Sequence, residues 1–159
     1  MLERIYKYPG CAVSSCGGIS ILVWTGEPTL AANQWAVRTL LSNRTKTAGE
    51  VTLLQIIAAS AGTPDAETRA YIQDVYKREL SEVRRMVSAP LGDGFKQSVV
   101  RTIMRGMAVI AGKTQHITVV STLDKAYDAL LERRATPTRE TLSSQVRAMF
   151  AELEAPPPE

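Results

Sequence analysis

Val51-Thr52-Leu53-Leu54-Gln55-Ile56-Ile57-Ala58 is a near-continuous apolar run of strand length. Such a run suits a central strand buried on both faces, in a sheet whose strands are joined by covering helices. Polar residues 43–49 precede it, and residues 60–65 (SAGTPD), rich in turn formers, follow it.

Working toward the N-terminus, residues 19–25 (ISILVWT) are β-branched and aromatic and lie between glycines, which predicts a second strand. Gly26-Glu27-Pro28 breaks the chain, and Thr29 is placed to cap a helix by accepting a free backbone N–H. Ala32, Trp35, Ala36, Thr39 and Leu40 then recur at helical spacing to about Ser42. Gly17-Gly18 reads as a turn, and residues 4–15 as either a short first strand or an irregular lead-in.

Toward the C-terminus, a long helix is expected from Ala66. Ile72, Val75, Tyr76, Leu80, Val83 and Val87 give it one apolar face; Glu67, Asp74, Lys77, Arg78 and Glu82 give the other. It ends between Arg84 and Pro90, with residues 86–89 as a short strand or the helix end. After a turn at residues 91–94, residues 95–111 read as a helix with Phe95, Val99, Ile103, Met107 and Ile110 inward, closed by Gly112. Residues 117–121 (ITVVS) are a strand, and Thr122 caps a helix that buries Ala126, Tyr127, Leu130 and Leu131. Thr136-Pro137 starts a last helix, proline taking its first position, with Leu142, Val146, Met149, Phe150 and Leu153 as its apolar stripe.

Strands alternating with helices predict an α/β fold: a mixed, mainly parallel sheet of four or five strands covered by helices, with an extra C-terminal helix. The expected organisation is a domain at residues 1–135, an amphipathic helix at 136–154 and a disordered tail at 155–159.

The 159 residues are 45% hydrophobic and 22% charged, which fits one soluble domain and excludes a largely disordered chain. No run of about 18 apolar residues exists, so no membrane helix is expected. The net charge of +3 is too small for a nucleic-acid surface. Arg101 and Arg105 share a helix, but no aromatic residue lies between them to stack on a base. The first residues lack a secretory pattern, so a cytoplasmic setting with reduced thiols is expected for Cys11 and Cys16. No metal and no cofactor are expected: a site would need more ligands than two cysteines, and the single histidine, His116, is distant. His116 would also have to serve any Ser/His/Asp or Cys/His catalytic set. A strand-edge histidine is the simpler reading, so no catalytic residue is assigned. Gly92-Asp93-Gly94 lacks the Lys-Ser/Thr pair of a phosphate loop.

The element order resembles the STAS fold of bacterial anti-sigma-factor antagonists. The resemblance is carried by Trp24-Thr25-Gly26, by residues 51–57, by Gly92-Asp93-Gly94-Phe95 leading into 101–111, and by the strand–helix pair at 117–131. It is topological and covers residues 18–133. It implies a non-enzymatic regulatory or scaffold domain that acts in signalling through a protein partner or self-association, including a homodimer. STAS switches carry an Asp-Ser pair after the central strand, and a partner kinase phosphorylates the serine. Here Ser60 and Thr63 are the hydroxyls in that place, and no aspartate precedes either. A phosphate there would meet free N–H groups at a helix start, whereas the competing reading is that Thr63 and Asp65 simply cap the helix. Expected partner contacts are Thr68, Arg69, Leu142, Val146, Met149 and Phe150; the competing reading of the last four is that their helix packs back on the sheet or on the long helix. The alternative is a small-ligand domain, for a nucleotide or lipid, using Gly92, Gly94, Lys96 and Arg101.

Overall fold

In the computed structural model, which describes residues 2–43, 51–79, 83–110, 112, 116–156 and 158, the apolar run forms strand β4 (Val51–Ile57) at the middle of a sheet. It pairs in parallel with β3 (Ile19–Trp24) on one side and β5 (Val83–Pro90) on the other. Leu54 and Ile56 join Ile21, Val23 and Val87 in one buried cluster, while Leu53 and Ile57 join Leu22 and Met86 in another. Both faces of β4 are therefore covered, which is why its sequence does not alternate.

The remaining strands are β1 (Tyr6–Tyr8), β2 (Cys11–Cys16) and β6 (Ile117–Val119), and the sheet runs β1-β2-β3-β4-β5-β6 in chain order. The first two pairings are antiparallel and the last three parallel. Helices α1 (Leu30–Asn43), α2 (Ala66–Glu79) and α3 (Phe95–Ile110) are the crossovers between β3, β4, β5 and β6. Each crossover steps to the next strand in the same direction. Right-handed connections of that kind deliver every helix to the same side of the sheet. Ala32, Ala36, Tyr76, Val100 and Met104 accordingly share one cluster.

The opposite face is left to α4 (Leu123–Leu131) and α5 (Arg139–Glu152). Leu123, Ala126, Tyr127 and Leu130 of α4 and Leu142, Val146, Met149 and Phe150 of α5 close the second cluster. The C-terminal helix is thus no appendage to a finished domain: residues 136–154 supply half the cover of one sheet face. Gln145 of α5, almost fully buried, donates to Ser14 Oγ (2.8 Å) and to the Glu3 carbonyl (3.0 Å) and accepts from the Glu3 N–H (2.9 Å). Arg139 ties α5 to α4, bonding Asp128 at 2.9 Å and lying over the Tyr127 ring. Burial pushes the Tyr127 phenol up to about 12.

Several expectations change. The sheet has six strands because residues 4–15 fold as the hairpin β1–β2. Its turn places Gly10, at φ +82°, against Gly26, and the Gly10 carbonyl accepts from Thr25 N and Gly26 N at 2.9 and 3.0 Å. A Cβ on Gly10 would lie 3.0 Å from Gly26 Cα. The α2 helix ends at Glu79, so Val83 and Val87 belong to β5 rather than to its apolar face. The register shifts between Val51↔Val83 and Thr52↔Arg85, so Val83 and Met86 face the same cluster and the period of two is broken. Leu80 and Glu82 lie outside the described residues, as do positions 44–50.

The α3 helix is rotated relative to expectation. It buries Gln97, Val100, Met104, Met107 and Ala108, leaving Phe95 87% and Ile110 59% exposed. The α5 helix starts at Arg139 with Thr138 as its cap, accepting from Thr141 N at 3.2 Å, so Pro137 precedes the helix instead of opening it. Ala155, expected in a disordered tail, packs on the second cluster and donates to the Phe150 carbonyl at 3.0 Å. Residues 157 and 159 lie outside the described residues.

Candidate ligand cavity

The three crossover loops gather at the carboxyl ends of the parallel strands, where ligands of open α/β sheets bind. Ser60 is exposed there and its Oγ donates to the Thr25 carbonyl at 3.1 Å. Thr63 is exposed, but Asp65 is the residue that caps α2, its Oδ1 accepting from Thr68 N at 2.8 Å. The Thr68 backbone N–H, then its hydroxyl, hold the Asp65 carboxyl below its usual range. The N-terminus that a phosphate on Ser60 or Thr63 would seek already carries a carboxylate. Thr68 itself is buried, which removes it as a contact for a partner, and Arg69 donates to the Pro64 carbonyl at 3.0 Å.

The anion site expected at Gly92, Gly94, Lys96 and Arg101 is organised differently. Arg101 Nη1 donates to the carbonyls of Pro90 (3.1 Å) and Gly92 (3.3 Å), so its guanidinium pins its own loop. Gln97 crosses to the Ala59 carbonyl at 3.2 Å and joins this loop to the Ser60 loop. Lys96 is exposed beside the exposed Phe95.

The stripe Leu142, Val146, Met149 and Phe150, expected to dock a partner, is 0–2% exposed in the core. The docking expectation gives way to its alternative, a helix packed back on the sheet, because the face over β2 and β3 needs that cover. His116 is exposed, with Nδ1 3.2 Å from the Arg84 carbonyl. Cys11 and Cys16 are free, buried and on opposite faces of β2, so they share no site. Burial pushes the Cys11 thiol up to about 12 and, with Glu3 nearby, raises Cys16 as well. Among the described residues, no group of three His, Cys, Asp or Glu side chains is placed to hold a metal.

What the fold does build is a cavity of about 110 Å³ between α1, α2 and the sheet. Ser20 on β3 and Ala36 on α1 are small residues of its wall, Leu22, Leu53 and Met86 line it from the sheet, and Ile72, Val75 and Tyr76 line it from α2. A second cavity of about 50 Å³ lies toward the carboxyl ends, under residues 61–64 and α3. The two share Asn33, Gln55, Ile72 and Tyr76 as walls. The larger reaches the surface beside Leu41, which is 37% exposed, and Glu79, the one charged side chain in either wall among the described residues.

Its few polar groups are under-used. Ser20 Oγ is buried with no hydrogen-bond partner among the described residues. Asn33 spends its Nδ2 on the carbonyls of Pro28 (3.1 Å) and Thr29 (2.9 Å), and no described residue bonds its Oδ1. The Gln55 amide has no hydrogen-bond partner among the described residues. Tyr76 is buried between the cavities, and that burial raises its phenol pKa. Sequence reading missed Ser20 and Gln55 as site residues. The available signal was polar side chains inside apolar strands, Ser20 alone in β3 and Gln55 with Thr52 in β4.

Among the described residues, no helix is long and apolar enough to cross a membrane. Comparisons with protein-family models, with curated proteins and with solved structures find no match to this chain.

Proposed function

We propose that this chain is a non-catalytic binding domain whose ligand is a small, largely apolar molecule held between α1, α2 and the sheet. The observation that carries the reading is the 110 Å³ cavity, walled by apolar side chains and reaching the surface between two helices. Buried apolar cavities of about 150 Å³ stay dry and take up benzene, so this space suits a ligand of about one ring. The phosphate of a nucleotide would find no cation in these walls among the described residues, which favours the apolar half of the ligand alternative. The cytoplasmic setting belongs to the same proposal, supported by two free cysteines.

The test is a panel of small apolar compounds followed by thermal unfolding and by amide shifts of the wall residues. A ligand at a hundred times its Kd adds about 2.7 kcal/mol, several degrees for a chain of this size. A flat panel with unmoved Leu53, Ile72 and Val75 resonances would remove the reading.

A second reading, a STAS-like regulatory domain that binds a protein partner, is supported by Phe95. This side chain is 87% exposed at the carboxyl ends of the strands, the end of the sheet that also carries Ser60 and Thr63. Capture with wild type and with Phe95→Ser separates the two. A partner held by wild type and lost by the variant supports docking at this end of the sheet. Equal capture by both removes Phe95 from the argument.

A further inference from the structure

The walls specify more than an apolar ligand. Resting on the proposed ligand reading, we infer that the cavity selects neutral molecules carrying a single hydrogen-bonding group, and that Gln55 is the residue that reads that group, with Asn33 beside it.

Gln55 sits where the two cavities meet, on the central strand, and its amide has no hydrogen-bond partner among the described residues. It offers both a donor and an acceptor. Asn33 contributes an acceptor to the same shared wall, because both protons of its amide are engaged by Pro28 and Thr29 and hold the side chain in place. Gln55 is half-buried, so a pure hydrocarbon in the cavity would displace water from its amide and leave the amide unpaired, which is costly. A carboxylate or phosphate is disfavoured for the opposite reason. The one charged group in the described walls is the Glu79 carboxylate, which Arg78 already meets at 4.0 Å, so an anion inside would be desolvated with no cation in those walls to receive it. A hydroxyl, ketone or amide on a small apolar body satisfies Gln55 and brings no charge.

Phenol, toluene and benzoate have nearly the same shape and separate these cases. They are titrated into the full-length wild type and into Gln55→Leu, a near-isosteric change in an apolar wall, while the side-chain amide resonances of Gln55 and Asn33 are followed. Phenol is expected to bind wild type about tenfold tighter than toluene, the equivalent of one good hydrogen bond. It should shift both amide resonances, which toluene leaves in place, and benzoate should not bind. In Gln55→Leu the preference for phenol should vanish while toluene binds at least as well. Equal affinity for phenol and toluene in wild type, or a benzoate affinity matching that of phenol, would overturn the selectivity while leaving an occupied cavity. No perturbation by any of the three would overturn both this inference and the ligand reading. Should Gln55→Leu fail to fold, the three wild-type titrations and the two amide resonances still decide the matter.

Discussion

Gln145 Nε2 donates to Ser14 Oγ across 2.8 Å, joining the last helix to the second strand over 131 positions of sequence. The same side chain also bonds both backbone groups of Glu3, and Ser14 in turn donates to the Arg4 carbonyl at 2.7 Å. One buried amide therefore holds the N-terminal lead-in, β2 and α5 together. Replacing Gln145 by Leu keeps the volume and leaves these partners unpaired. We expect a loss of about 2 kcal/mol and a fall in Tm of about 4–8 °C, read by calorimetry. An unchanged Tm would mean that water replaces the amide without cost.

Removing α5 should be far worse than removing a surface helix. A chain ending at Ala135 would expose Ile19, Ile21 and Val23, which Leu142, Val146, Met149 and Phe150 otherwise cover. The expected outcome is loss of cooperative unfolding and a collapsed amide spectrum. Met149→Ala, at a fully buried site, is the milder version and should cost about 2–5 kcal/mol in chemical denaturation. A well-dispersed spectrum from the truncated chain would show that the sheet face closes without α5.

Ser20→Ala should stabilise the protein, because it removes a buried hydroxyl with no partner among the described residues and adds no volume. The expected gain is about 1 kcal/mol, measured as a higher urea midpoint at unchanged slope. A lower midpoint would mean that the hydroxyl is bonded by water in solution.

Asp65 gives a pH dependence of known sign. Its folded-state carboxyl titrates below the usual carboxylate range, chiefly because the Thr68 backbone N–H bonds it. The stabilisation is therefore present above the unfolded pKa and lost as pH falls through the lower folded one. Asp65→Ala should be less stable than wild type at neutral pH, and the two should converge in acid. Denaturation midpoints between pH 7 and pH 2 test this, and a gap that persists in acid would place the effect elsewhere.

Both thiols should resist modification in the native state. Cys11 is fully buried with its thiol pushed up to about 12, so almost no thiolate exists at pH 8. Ellman's reagent should titrate two thiols in denaturant and none on the same timescale without it. Rapid native labelling would reveal local opening of β2.

The sequence by itself determined the elements whose residues carry a local signal. The run at residues 51–58 is strand because nothing in it breaks and nothing alternates. Thr29 and Thr122 start helices because a hydroxyl there meets an unpaired N–H, and both bonds are present, at 3.1 and 3.2 Å. Tertiary structure decided what no local signal encodes. Strands laid in chain order send three right-handed crossovers to one face, so the other face needs α4 and α5, and a stripe that looks free in sequence becomes core. Val83 fitted the helical period of α2, until pairing with β4 and its register shift placed it in β5. The meaning of Gln55 also waited on the fold. A polar residue in an apolar strand says little in sequence, and Gln55 became a candidate site only once the fold placed it in the wall shared by two cavities with no described neighbour bonding its amide.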